Sequence, residues 1–250
     1  MPKKAHLLRW RMALLPPLAR AAGVLELLDR PAPLDDLVQS LDDVARLSRV
    51  FGGRRVTLGH VTRLLSRVPL DRPAVVLDLG TGGADLPRAL VGWARRRGRP
   101  IRVLALDHDG AALGVAARAA REYPEIALVQ GDARALPFRP RSVDVAISAL
   151  TLHHLEPADA AACLAAMAAV SRVGFVVNDL FRSRVAYALV WLATRLLARN
   201  RMSRHDGPLS VLRAYTPEEM RGLCRSAGLH GVQVRRYPFL MRQCAVKVSA

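Results

Sequence analysis

Lysine, cysteine and long apolar runs are scarce in this chain, and each scarcity excludes something. Of its 38 basic residues only Lys3, Lys4 and Lys247 are lysines, so the other 35 are arginines. The net charge of +17 first raises nucleic acid or an anionic membrane as partner. The arginines are spread along the chain, however, with Arg95-Arg96-Arg97 as the one tight run. Diffuse charge of that kind argues against a nucleic-acid footprint. The three cysteines, Cys163, Cys224 and Cys244, stand too far apart for a metal-ligand spacing or a disulfide framework. A reducing cytoplasm is the expected compartment, and no metal is expected. No run approaches the ~18 apolar residues that a membrane span requires. Lys3 and Lys4 precede an apolar stretch, but Arg9 and Arg11 interrupt it and Pro16-Pro17 breaks it, so it is not read as a secretory signal.

What is present is a globular composition, 51% hydrophobic and 24% charged over 250 residues. Residues 1–70 read as a helical extension. Leu25, Leu28, Leu34, Leu37, Leu41 and Val44 recur at helical spacing, Pro31 and Pro33 mark a break, and a second helix is predicted from Val56 to Val68. From residue 71 the pattern changes. Short apolar runs at 74–79, 101–106, 126–129, 143–148 and 172–177 alternate with helical segments such as 86–97 and 110–122. That alternation predicts βαβ units and a parallel sheet covered on both faces. Two further runs, 231–237 and 244–248, suit a terminal antiparallel hairpin.

The strongest signal is Val75-Val76-Leu77-Asp78-Leu79-Gly80-Thr81-Gly82-Gly83-Ala84-Asp85. An apolar strand runs into a glycine turn, where the backbone can approach a ligand and adopt positive φ. The helix that follows points its N-terminal amides at the same place. A dinucleotide fingerprint counted from Gly80 would put Asp85, an acid, where a pyrophosphate sits, which argues against NAD or FAD. The second run ends in Asp107-His108-Asp109, and an acid at that strand tip can accept from two ribose hydroxyls. Asp109 reads as a helix N-cap. The third run leads to Gly131-Asp132-Ala133.

This order of motifs resembles the class I S-adenosylmethionine (SAM)-dependent methyltransferases over residues 74–177, in the style of quinone-biosynthesis and other small-molecule methyltransferases. The resemblance implies a Rossmann-like α/β fold with a seven-stranded, mostly parallel sheet in the order 3-2-1-4-5-7-6, the last strand antiparallel. It implies SAM as cofactor and S-adenosylhomocysteine as product. The implied cofactor residues are Asp78, Gly80, Thr81, Gly82 and Asp85 around the methionine part, Asp107 and His108 at the ribose, Asp132 and Ala133 at the adenine, and Ser148. Ala84 stands where the family often has a third glycine.

The acceptor side begins after the fourth run, at Ser148-Ala149-Leu150-Thr151-Leu152-His153-His154-Leu155. The (Asn/Asp)-Pro-Pro-aromatic signature of many nucleic-acid amino-methyltransferases is missing there. A hydroxyl acceptor must lose a proton, and histidine suits that task near neutral pH. His153 and His154 are candidate bases, with His205 as a third. Asn178 and Tyr215 are candidate acceptor contacts. The segment 184–199 carries a broad apolar face and is expected to be buried, to cover a lipophilic substrate or to rest on a membrane, burial being the default. Residues 204–208 read as a polar loop in a lid at about 180–215. Thr216, Pro217 and Glu219 read as a capping box. The expected reaction is O-methylation of a small hydrophobic phenol, quinol or polyketide-like molecule. C-methylation, non-methylating chemistry on SAM and RNA methylation are the alternatives. Oligomeric state and peripheral membrane contact stay open.

Overall fold

The computed structural model describes residues 18–249, so readings of the first 17 residues lie outside the described part. Five strands, β1 (Ala74–Leu79), β2 (Ile101–Asp107), β3 (Ile126–Gln130), β4 (Val143–Ala149) and β5 (Ser171–Leu180), pair in parallel. They are joined by β6 (Gln233–Tyr237) and β7 (Arg242–Val248), and β7 runs antiparallel to both its neighbours. The order is β3-β2-β1-β4-β5-β7-β6, as the motif resemblance implied. Among the described residues, eight α-helices accompany the sheet: α1 (Leu34–Val50), α2 (Gly53–Leu65), α3 (Asp85–Arg96), α4 (Gly110–Ala119), α5 (Pro157–Val170), α6 (Arg184–Leu197), α7 (Arg201–Arg213) and α8 (Pro217–Ser226).

The strands read as continuous apolar runs because both faces of the sheet are covered. In β1, Ala74 and Val76 join a core with Val61 and Leu65 of α2 and Leu90 of α3. Leu77 and Leu79 point the other way, into a core with Leu164 and Met167 of α5, Met220 of α8 and Phe175. Burying each such leucine contributes about 1.5–3 kcal/mol. Leu79 pairs with Leu106 on one side and Ser148 on the other. The carboxyl ends of β1, β2 and β4 therefore finish level, and the loops after them share one edge, where open α/β sheets bind ligands.

Four expectations are corrected. Leu25 and Leu28 are not helical partners of Leu34: residues Leu27–Asp29 make a single 3-10 turn. The amides of Leu27 and Leu28 donate to the Asp206 carboxylate instead, and α1 starts directly after Pro33. The second helix begins at Gly53 rather than Val56, where a Cβ would lie 3.0 Å from Arg242 Nε. Strand β5 continues to Leu180, since Asn178, Asp179 and Leu180 pair with Cys244, Gln243 and Arg242.

Residues 204–208 are the fourth correction, for they lie inside α7 with Pro208 in its interior. Asn200 caps that helix by accepting from Met202 N at 2.7 Å. Gly207 lets α6 come so close that a Cβ would meet Thr194 Cγ2 at 2.5 Å. Tertiary packing here outweighs the proline, which costs an interior helix position about 3 kcal/mol.

The apolar face of α6 is not buried by the described residues. Val185, Leu189, Trp191, Leu192 and Leu196 are exposed, while Ala186 and Thr194 are buried. No described helix is long and apolar enough to cross a membrane.

Candidate functional site

The glycine loop is braced from several directions. Gly80 N and Thr81 N both donate to Leu106 O, at 2.9 and 3.0 Å. Gly80 adopts φ +68°, and a Cβ there would sit 2.3 Å from Thr151 Oγ1, so only glycine fits. Thr81 Oγ1 donates to Asp78 Oδ2 at 2.8 Å, and Gly82 N donates to Asp107 Oδ2 at 2.8 Å. Ala84, in place of the third glycine, carries φ +55° directly before α3.

A cavity of about 420 Å³ opens over this loop. Asp78, Gly80, Thr81, Gly82, Asp85, Asp107, His108, Asp132 and Ala133 all line it. Burial pushes the Asp78 carboxyl up to about 7, and the nearby charges of Asp85 and Asp107 push it the same way. Burial also raises Asp85, against the pull of Arg54 and Arg88. Acids crowded into one buried cavity repel one another, and a cation between them would relieve that repulsion. Asp107 accepts from Gly82 N and, through Oδ1, from Asp109 N at 3.1 Å. Two of its roughly four acceptor positions stay open for a ligand. Asp109 caps α4 by accepting from Ala111 N. Asp132 is paired with Arg134, whose guanidinium reaches it at 2.6 Å.

A second, apolar cavity of about 140 Å³ lies beside the first, among Leu47, Phe51, Leu180, Val190 and Met241. That is close to the volume that receives a benzene ring in an engineered core cavity, about 150 Å³. Leu28, Val44, Leu150 and His154 line both cavities. The junction carries a dense polar cluster. His153 Nδ1 lies 2.6 Å from Asp179 Oδ1, and His153 N donates to Asp179 Oδ2. His154 Nδ1 lies 2.7 Å from Asp29 Oδ1. The imidazoles stack at 4.3 Å between centroids, tilted by 36°. Facing their Nε2 atoms is the Glu26 carboxylate, 3.6 Å from His153 and 3.9 Å from His154. Burial pushes Glu26 up to about 7, although His154 and Ser210 pull it down. Burial would also raise Asp29 and Asp179, but their histidine partners, together with Arg213 at Asp29 and the Leu180 amide and Arg242 at Asp179, hold both below the usual carboxylate range.

Further residues hold this cluster in place. Arg213 donates to the carbonyls of His153 and His154 and to Asp29 Oδ2. Ser210 donates to Glu26 Oε1 at 2.9 Å. Glu26, Asp29, Asp206, Ser210 and Arg213 carried no sequence signal. Glu26 lies more than a hundred residues from the histidines in the chain, and only the fold closes that gap.

Four expected site residues stand elsewhere. His205 lines neither cavity; its Nδ1 contacts Asp206 while 54% of its side chain is exposed. It projects from the outer side of α7. Asn178 is buried in β5 and donates to Gly53 O and Thr57 Oγ1, tying the sheet to α2. Tyr215 is buried and donates to Leu155 O, with Arg20 over its ring at 4.5 Å. Ser148 is buried between β1 and β5, and its hydroxyl has no partner. The capping box of Thr216 and Glu219 is present.

Residues 76–174 match the family model described as a methyltransferase domain. A 2-phytyl-1,4-naphtoquinone methyltransferase of Thermosynechococcus vestitus is 42% identical over 87 residues, covering 34% of this chain and 37% of that protein. A malonyl-(acyl-carrier protein) O-methyltransferase of Xylella fastidiosa is 36% identical over 84 residues, covering 34% of this chain and 27% of that protein. The chain thus spans about a third of the length of these curated relatives. The solved structure of human N-acetylserotonin methyltransferase in complex with SAM superimposes with a TM-score of 0.61 at 16% identity, covering 86% of this chain and 56% of that one, which is a likeness of fold. Residues 76–174 of the chain thus match a methyltransferase domain, and they lie in a sheet with the order that the motif resemblance implied.

Proposed function

We propose that the protein transfers the methyl group of SAM to a hydroxyl of a small, apolar, phenol-like molecule. The observation that carries the reading is the meeting of two cavities at His154, one acidic and one apolar. The acidic cavity suits the ammonium and sulfonium of SAM, with Asp78 and Asp85 near the charges and Asp107 at the ribose. The apolar cavity suits one aromatic ring. The 2-phytyl-1,4-naphtoquinone methyltransferase, similar over 87 residues, supports an aromatic acceptor of that kind.

Methyl transfer is an in-line displacement. The acceptor oxygen attacks the methyl carbon, the carbon–sulfur bond pair returns to sulfur, and neutral S-adenosylhomocysteine leaves. The protein's part is alignment and disposal of the hydroxyl proton. The cluster of His153, His154 and Glu26 takes the second role, since among the described residues His154 is the ionisable side chain that lines both cavities. Residues 18–70 and the helices at about 180–215 form the cap and lid over the acceptor. A ring carbon activated by the same deprotonation is the alternative nucleophile.

The test is calorimetric titration with SAM and S-adenosylhomocysteine, followed by methylation of simple alkylphenols with methyl-labelled SAM. Binding of SAM, labelled product and a loss of turnover in His154→Ala with unchanged SAM affinity support the reading. A folded sample that binds neither cofactor form refutes it. Product analysis separates an aryl ether from a ring-methylated phenol.

A further inference from the structure

The histidine pair has a property that proton transfer alone does not need. Each imidazole is pinned at Nδ1 by its own carboxylate, His153 by Asp179 at 2.6 Å and His154 by Asp29 at 2.7 Å. Each Nε2 is thereby left turned towards Glu26, at 3.6 and 3.9 Å, beyond hydrogen-bond length. No described residue gives either Nε2 a hydrogen bond. One ligand atom from each of the three residues lies within 4.8 Å of the others, and Glu26 and His153 are buried.

We propose that His153, His154 and Glu26 bind one divalent first-row transition-metal ion, such as Zn²⁺, Fe²⁺ or Mn²⁺, at the junction of the two cavities. Two imidazoles and one carboxylate are the ligand set of catalytic sites that keep a position open for an exogenous oxygen. With bonds of about 2.1 Å, neighbouring donors in a tetrahedral site sit roughly 3.4 Å apart. The carboxylate is already close to that separation from both Nε2 atoms, and a small closing of the two imidazoles completes the set. A carboxylate on the far nitrogen of a liganding histidine fixes its tautomer and raises its basicity. Both histidines have that partner here, and the two partners come from different parts of the chain. Glu26 is in turn steadied by Ser210, and the 3-10 turn beside it by Asp206. The open position faces the apolar cavity, since all three residues line it. An oxygen donor on an apolar molecule, a phenolic or enolic hydroxyl, is the ligand that fits there. That last assignment rests on the proposed methyl transfer; the ion site does not.

The experiment uses the full chain, stripped with a chelator and dialysed free of it, titrated with Co²⁺ as a spectroscopic probe. The expected result is one equivalent bound, with visible d–d absorption, displaced by Zn²⁺. Glu26→Gln, nearly isosteric, and His154→Ala should each weaken that site at least tenfold. Asp29→Asn, which leaves the three ligands in place, should weaken it roughly 10–100-fold. Circular dichroism and thermal melts confirm that each variant is folded. A folded wild type that takes up no cobalt, or cobalt binding equal in wild type, Glu26→Gln and His154→Ala, overturns the proposal. SAM titration of the same stripped protein keeps the two readings apart. Cobalt binding without SAM binding leaves the ion site standing and removes the methyltransferase reading, and SAM binding without cobalt binding does the reverse.

Discussion

Replacing Asp107 by alanine should weaken SAM binding by about two orders of magnitude. The carboxylate already accepts from Gly82 N and Asp109 N, one on each oxygen, and its side chain is nearly buried. Two acceptor positions remain, which matches the two hydroxyls of a ribose. A hydrogen bond to a charged partner contributes about 1.5–3 kcal/mol. Two bonds at the low end give about 3 kcal/mol, or roughly 150-fold in Kd. The same substitution leaves Gly82 N without its partner, so the glycine loop loosens and the loss cannot be smaller than the ribose share alone. The assay is calorimetric titration of SAM into wild type and variant, with thermal melts to show that the variant is folded. A Kd changed by less than threefold in a folded variant would refute the reasoning, because the ribose would then lie elsewhere.

Other substitutions test other parts of the argument. Gly80→Ala should cost about 2–4 kcal/mol, from a left-handed alanine and from contact with Thr151, as read from denaturant melts. Adding Thr151→Ala should recover the contact share and leave the conformational share. Asp78, at about 7 in the free protein, should ionise fully beside a cation, so SAM binding should release a proton and tighten between about pH 6 and 8. Asp78→Asn should flatten that profile. Asp144 is fully buried and accepts from Arg72 at 2.6 and 2.7 Å and from Val75 N; burial would raise it, but these partners hold its pKa low. Its contribution is therefore present above the ordinary carboxylate pKa and lost as pH falls below it. Asp144→Asn should cost about 2 kcal/mol at neutral pH, Arg72 being partly solvated, and should flatten the acid limb of the stability curve. All three cysteines are buried, and burial pushes Cys163 and Cys244 to about 12, so a thiol reagent at pH 8 should react with none in the native protein and with three in guanidinium.

Much of the lining of the larger cavity was legible because its signals are local. A strand that meets a glycine turn needs only consecutive residues, and 74–85 contain both the apolar run and the residues that the turn demands. The strand-tip acid Asp107 and the cap at Asp109 are equally local, as is the capping box at Thr216. The acceptor side was read less well. Asn178 and Asp179 are adjacent in sequence and alternate across a strand, so one reaches α2 while the other reaches His153. The reading of this strand as ending at residue 177 failed because β7 pairs with Asn178, Asp179 and Leu180 and extends it. His205 and Asp206 are likewise neighbours on one helix with different surroundings, the first largely exposed and the second buried against the amides of Leu27 and Leu28.

The sequence alone determined the class of fold and the edge of the sheet where ligands bind, since hydrophobic period and turn chemistry act over a few residues. It also determined which acids line the larger cavity, because the strand tips carry them. Only the tertiary structure decided what the histidines face. Glu26 and Asp29 come from the N-terminal segment, Asp179 from β5, and Ser210 and Arg213 from α7. Loop closure over such separations is set by packing of whole elements, and no local pattern encodes it. The proline within α7 belongs to the same category, a local preference overruled where Gly207 lets two helices meet.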